Sequence, residues 1–150
     1  MTDNELLSGF EDCALANEAF HHEEHVRVAF LYLSRYPVLQ ALERFSSAIR
    51  RFAEAHGKAT LYNETVTWAY IFLIQERIAR TGYPRSWSEF LADNPDLFDR
   101  KRDILKKYYQ PETLQSELAK KTFLLPDRLE ERLDRRSNPP LPGPHTLRFA

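Results

Sequence analysis

The sequence has few of the residues that build disulfide-bonded or sheet-rich proteins. Its single cysteine, Cys13, allows no intramolecular disulfide, which favours a reducing compartment and predicts a cytoplasmic protein. Only 4 of the 150 residues are glycine, and the sequence contains neither Asn-Gly nor Asp-Gly, the dipeptides that most often close a β-hairpin. This scarcity of turn residues favours an all-α fold.

Long apolar runs and an excess of charge of one sign are also missing. The longest apolar stretch, Val66–Ile74, falls far short of the roughly 20 residues that span a bilayer. The first residues, MTDNELLSGFEDC, are acidic and lack the layout of a signal peptide. The 21 basic residues are balanced by 22 acidic ones, so no broad basic surface is expected. We therefore predict neither a membrane nor a nucleic acid as partner.

The residues that are present indicate one globular domain, with 43% hydrophobic and 29% charged side chains. We expect a single compact bundle of five to six helices in residues 1–125, followed by a charged, proline-rich extended tail in residues 126–150. The tail's PPLPGP stretch is of the kind that binds an aromatic groove in a partner protein. Apolar spacing and cap residues place the main helices at about 17–35, 38–55, 61–80, 94–109 and 111–121, with a short helix that begins at Ser86.

Three of the five histidines lie in the short stretch FHHEEHV, Phe20 to Val26. The buried stripe of the first long helix continues backwards by helical steps to His22 and His25, which predicts that both face the bundle. His21 lies on the flank of this stripe. Two imidazoles three residues apart on a helix are close enough to share one metal ion.

A third ligand must come from another part of the chain, and the start of the third long helix is the best place to look. If consecutive long helices are antiparallel, the first and third run parallel, which brings the histidine pair level with Asn63 and Glu64. His56 in the preceding turn would close the same end. Tyr62 and Glu64 are candidate catalytic residues beside this site, with Trp68 lining the pocket.

Two stretches, FHHEEHVRVAFLYL and YNETVTWAYIFLI, resemble a group of small uncharacterised bacterial helical proteins. Those proteins have a His-x-x-His pair on one helix and a Tyr-His-x-Thr-[Ile/Val]-Thr segment at the start of another. The resemblance covers about residues 10–80 and implies a site location rather than a reaction. It also implies a third histidine at the position where this chain has Asn63, so that His56, His21 or Glu64 would have to replace it.

The leading hypothesis is a small metal-binding helical enzyme that acts on a small molecule. A divalent metal, iron or zinc and less readily copper, would serve as Lewis acid or activate water or dioxygen. Two alternatives stay open at this point. One is a non-catalytic helical interaction module in which the histidines are capping residues and the apolar face or the tail binds a protein. The other is a metal-free acid/base enzyme that uses a His22–Glu64 pair.

Overall fold

The computed structural model describes residues 1–82, 86–99 and 101–128, and within these ranges the chain is helical and contains no β-strand. The all-α prediction is therefore confirmed, whereas most of the predicted tail, from residue 129 onwards, lies outside the described residues. The helices are α1 (Asp3–Glu11), α2 (His22–Arg35), α3 (Val38–Ala55), α4 (Glu64–Thr81), α5 (Trp87–Asp93), α6 (Pro111–Gln115) and α7 (Glu117–Lys121). Short 3-10 turns cover Asn17–Ala19, Ala59–Leu61, Pro95–Phe98 and Ile104–Lys107.

The centre of the fold is a three-helix unit in which α2, α3 and α4 all pack against one another. Helix α1 covers α2 and α3, α5 packs on α2, and α7 packs on α4. The Phe10 ring is fully buried and stacks on Phe20 at 4.9 Å between ring centroids, with Phe52 5.7 Å away. Burial of such aromatic rings dominates core energetics. The residues between α1 and α2 are thereby fixed to the central helices.

The helix ends follow the chemistry of their cap residues. The Thr2 and Asn63 side chains accept hydrogen bonds from backbone N–H groups in the first turns of α1 and α4. Helix α2 ends at Arg35 and α3 begins after Pro37, whose ring cannot continue a helix. After α4, Gly82 has φ of 79°, a left-handed conformation that favours glycine. These local signals set the boundaries of the three central helices.

The predicted start of the first long helix, at residue 17 or 18, is wrong. Asn17 begins a separate 3-10 turn, and α2 starts only at His22. Between them Phe20 adopts a non-helical backbone conformation and is 6% exposed. Because the Phe20 side chain packs into the aromatic core, the helix is interrupted at this position. The new helix then uses His21 as its cap, with the His21 N–H donating to the Glu24 carboxylate at 2.9 Å.

The predicted helices over 94–109 and 111–121 are not continuous in the described residues. The Asp99 carboxylate accepts from the backbone N–H groups of Lys101 and Arg102, and the Asp103 carboxylate from that of Leu105. Aspartate side chains compete in this way with helical hydrogen bonding, so only 3-10 turns form. In the last helical region, Ser116 is extended and caps α7, which separates α6 from α7.

Helix α4 is less enclosed than its apolar sequence suggested. Thr65, Thr67, Ile71 and Ile74 are buried, but the Phe72 side chain is 37% exposed. The outer face of α4 is covered only in part, by α7 and the residues that follow it. Across the described ranges, none of the helices combines the length and the apolar content needed to cross a bilayer.

Candidate functional site

A small cavity of about 110 Å³ lies between α2, α3 and α4. Its polar lining comes from two imidazoles on α2, His22 and His25, and from Thr67 and Tyr70 on α4. The remaining walls are apolar and consist of Val26, Ala29, Phe45, Ile49, Val66 and Ile74. Since a water molecule occupies about 30 Å³ of liquid, the cavity has room for an ion and a few small ligand atoms.

The His22 ring is held by a backbone carbonyl outside the three central helices. Its Nε2 lies 2.7 Å from the carbonyl oxygen of Leu97, in the 3-10 turn after α5. A carbonyl oxygen only accepts hydrogen bonds, so Nε2 carries the hydrogen and, in the neutral ring, Nδ1 is the nitrogen with a free lone pair. The ring also meets Tyr70 edge-on, with centroids 5.3 Å apart. These contacts fix both the position and the tautomer of His22.

The His25 ring is stacked on Phe20, with ring centroids 4.1 Å apart. Burial, followed by the positive charge of a protonated His22, lowers the pKa of His25 from 6.5 to about 4. His25 is therefore a neutral imidazole at neutral pH. It also borders a second cleft of about 170 Å³, on the outer side, together with Tyr62 and Lys58. His25 thus stands between the inner cavity and a cleft at the surface.

The other two candidate histidines do not line the inner cavity. His21 caps α2, its side chain is 53% exposed, and its Nδ1 is 3.7 Å from the Glu24 carboxylate. His56 follows α3 and packs on Phe52, with ring centroids 4.3 Å apart. The His56 Nε2 is buried and has no hydrogen-bond partner within the described part of the chain.

Asn63 has a structural role at the start of α4. Its Oδ1 accepts from the N–H of Val66 at 3.0 Å, and its Nδ2 donates to the carbonyl oxygen of Leu114 at 2.7 Å. The amide therefore caps α4 and ties it to α6. Both ends of the side chain are used in these contacts, and Asn63 does not line the cavity beside His22.

Glu64 belongs to a separate polar cluster on the outer side of α3 and α4. Its Oε1 accepts from the Tyr62 hydroxyl at 2.5 Å and from the Trp68 indole N–H at 3.0 Å. The Arg50 guanidinium lies 3.6 Å from Oε2 and 4.7 Å above the centre of the Tyr62 ring. Burial and the bond to Glu64 raise the pKa of Tyr62 to about 12. We name these four residues the Glu64 cluster.

The candidate residues are thus divided between two places. His22 and His25 share the inner cavity, whereas Glu64 and Trp68 border a different cleft with Arg50. Residues 1–82, 86–99 and 101–128 contain no group of three or more His, Cys, Asp or Glu side chains positioned to hold a metal ion. Within these ranges, a metal bound by the two imidazoles would therefore find no third ligand of these four residue types.

The sequence reasoning missed two groups that shape the site: Tyr70, which lines the cavity, and the Leu97 carbonyl, which binds His22. Tyr70 stands inside the apolar stretch of α4, and its hydroxyl donates to Asp103 Oδ1 at 3.0 Å. Its polar group in an otherwise apolar run was the available signal. The Leu97 carbonyl had none, because a backbone group at a distance of 75 residues from its partner is visible only in the fold.

Comparison of the chain with protein-family models, with curated proteins and with solved structures finds no match in any of the three. The resemblance to small bacterial helical proteins therefore stays a prediction. The functional argument depends on the cavity itself.

Proposed function

We propose that His22 and His25 bind one divalent metal ion in the inner cavity and that the ion acts as a Lewis acid on a small molecule. The observation that carries this proposal is the hydrogen bond from His22 Nε2–H to the Leu97 carbonyl, at 2.7 Å, on a ring that shares its cavity with His25. Metal-ligating histidines usually donate their second ring N–H to a carbonyl or carboxylate, which fixes the tautomer and orients the ligating nitrogen.

The state of His25 supports the same reading. A histidine must be neutral to bind a metal, and burial keeps His25 neutral over the whole physiological range. With a pKa of about 4, His25 is poorly matched to act as a general base near pH 7. A ligating role suits this imidazole better than proton transfer.

The remaining coordination positions would be filled by water and by the small molecule. A metal with two protein ligands keeps open positions, which is the property of catalytic rather than closed structural sites. Imidazole ligands suit iron, zinc and copper. The cleft bordered by His25, Tyr62 and Lys58 shares His25 with this cavity and would offer a route for the small molecule.

The metal-free alternative receives less support from the geometry. A His22–Glu64 acid/base pair requires the two side chains to face each other, but they border different cavities. The Glu64 carboxylate is also occupied by the Tyr62 hydroxyl and the Trp68 indole. Within this reading the Glu64 cluster stabilises the start of α4.

The test is metal analysis of protein purified without an affinity tag. We expect about one ion per chain after incubation with Fe²⁺ or Zn²⁺ and removal of excess metal, and a rise in melting temperature with metal concentration. His22→Ala and His25→Ala should each abolish binding. His21→Ala and His56→Ala are matched controls, because they remove a neighbouring and a buried imidazole outside the cavity.

Fewer than about 0.1 ion per chain, with no metal-dependent stabilisation, would contradict the proposal. So would equal loss of binding in the His21→Ala control. X-ray absorption of the loaded protein provides a further check, since it should show imidazole ligands together with oxygen ligands from solvent.

A further inference from the structure

An apolar groove of about 260 Å³ lies on the outer face of α4, which is opposite to the face that lines the inner cavity. Its floor and walls include three aromatic rings, those of Phe72, Tyr108 and Phe123, together with Leu73, Leu105 and Pro126. Phe72 is one of the few large hydrophobic side chains in the described residues that remain 37% or more exposed. The groove thus has the aromatic, apolar character of sites that bind proline-rich segments.

The chain leaves the described region at the edge of this groove. The backbone N–H groups of Asp127 and Arg128 both donate to the Tyr108 carbonyl oxygen at 3.0 Å. The Arg128 guanidinium donates to the Lys106 carbonyl oxygen at 2.6 Å. Because Pro126 and Tyr108 line the groove, these bonds fix the beginning of the following segment directly beside it.

We propose that the segment Pro139–Pro144, with the sequence PPLPGP, binds the Phe72–Tyr108–Phe123 groove of its own chain. Proline-rich segments lose little conformational entropy on binding, and their rings and apolar side chains fit between aromatic side chains. The charges agree with this placement. Arg135 and Arg136 precede the prolines, and the exposed Glu76 carboxylate, which also lies 3.5 Å from the Arg80 guanidinium, lines the groove.

The short connection makes even a weak interaction sufficient. About ten residues separate Arg128 from Pro139, which allows a span of up to roughly 35 Å. A connection of about this number of residues gives an effective concentration on the order of millimolar. An intrinsic dissociation constant well below that value would keep the groove occupied most of the time.

The experiment uses the full chain with a spin label. The label is attached to a cysteine introduced by His145→Cys in a Cys13→Ser background, with metal removed by chelator so that the result is independent of the metal proposal. We expect the label to broaden the methyl NMR signals of Leu73 and Leu105 but not those of Leu6, which is buried in α1. Phe72→Glu should remove the broadening. Leu118→Glu is the matched control, because Leu118 is 61% exposed and lies outside the groove.

A second measurement needs no label and keeps Cys13. Trypsin should cleave after Arg135 and Arg136 more slowly in the wild-type chain than in Phe72→Glu, by about tenfold if the groove is occupied nine-tenths of the time. The Leu118→Glu rate should match the wild type. Equal cleavage in wild type and Phe72→Glu, or unbroadened Leu73 and Leu105 signals, would overturn the proposal.

An experiment with mixed chains distinguishes binding of the segment to its own chain from binding to a second copy. Isotope-labelled chains without spin label are combined with spin-labelled chains that carry no isotope. We expect no broadening in the mixture, because the segment binds its own chain. Broadening that grows with protein concentration would mean that a second copy supplies the segment, and it would overturn the intramolecular proposal.

Discussion

Acidification should destabilise the protein through His25 in particular. In the folded chain the pKa of His25 is about 4, against an ordinary value of 6.5. Below pH 6.5 the unfolded chain therefore binds a proton at this position that the folded chain does not bind. Stability is unaffected by His25 above pH 6.5 and is lost as the pH falls towards 4.

The size of the effect follows from the difference between the two pKa values. One pKa unit corresponds to about 1.4 kcal/mol, so the loss is about 3 kcal/mol at pH 4 and approaches a limit of about 3.4 kcal/mol below that pH. Between pH 7 and pH 5 the expected loss is about 2 kcal/mol. The charge of a protonated His22 adds to the effect of burial, whereas the nearby Glu24 carboxylate opposes it.

The assay compares wild type with His25→Gln, which keeps a polar side chain that does not titrate. Free energies of unfolding are measured by urea denaturation at pH 7, 6 and 5 in the presence of chelator, because bound metal would add its own pH dependence. The variant loses the stacking on Phe20 at every pH, so only the difference in slope is informative. His21→Gln, at an exposed position outside the cavity, is the control that keeps the His25 imidazole.

Parallel pH profiles for wild type and His25→Gln would refute the reasoning. They would mean that His25 is as accessible to protons in the folded chain as in the unfolded one. The imidazole would then not be the buried, neutral group that the metal proposal requires.

Three further substitutions test the contacts around the site. Asn63→His introduces the histidine that the resemblance implies at this position. It should lower the free energy of unfolding by about 1 kcal/mol and leave metal affinity unchanged, because this position caps α4. Tighter metal binding would contradict the assignment of Asn63 as a cap. Thr65→Val should cost about 1–3 kcal/mol in urea denaturation, since its buried hydroxyl bonds backbone groups at and after α7; a neutral effect would count against that role. Tyr70→Phe should cost about 1 kcal/mol by losing the bond to Asp103, with the metal stoichiometry retained; loss of the metal would instead make Tyr70 a ligand.

Much of the fold could be predicted because its signals are local. Pro37 and Gly82 mark where the central helices start or end, and the structure has boundaries there. The failures lie where a distant contact or a side chain competes with the helix. Phe20 interrupts the predicted helix because aromatic rings of α1 and α3 bury it. The Asp99 carboxylate accepts hydrogen bonds from backbone N–H groups that would otherwise donate within a helix. Neither preference is visible in apolar spacing.

The predictions for the site succeeded and failed for the same reasons. The helical period alone predicted that His22 and His25 face the bundle, and both line the inner cavity. The grouping with Glu64 assumed that residues level with one another along parallel helices also face one another. The topology determines which residues lie at the same height along the bundle. Which of these residues face one another depends on the rotation of each helix about its own axis. One turn of α4 separates Glu64 from Trp68, which binds its carboxylate, whereas Thr67 and Tyr70 turn towards the histidines.

That rotation explains why the chain carries two polar groups at one end of its bundle. Within the Glu64 cluster, the Glu64 carboxylate is paired with Arg50 and accepts hydrogen bonds from Tyr62 and Trp68. It therefore requires no partner from the cavity. Among the described residues no carboxylate joins His22 and His25 in lining the cavity, and the Leu97 carbonyl accepts the Nε2–H hydrogen bond of His22. Since burial already opposes protonation of His25, this imidazole is better suited to bind a cation through its lone pair than to take up a proton. The separation of the two groups therefore favours a metal over a His–Glu pair at this site.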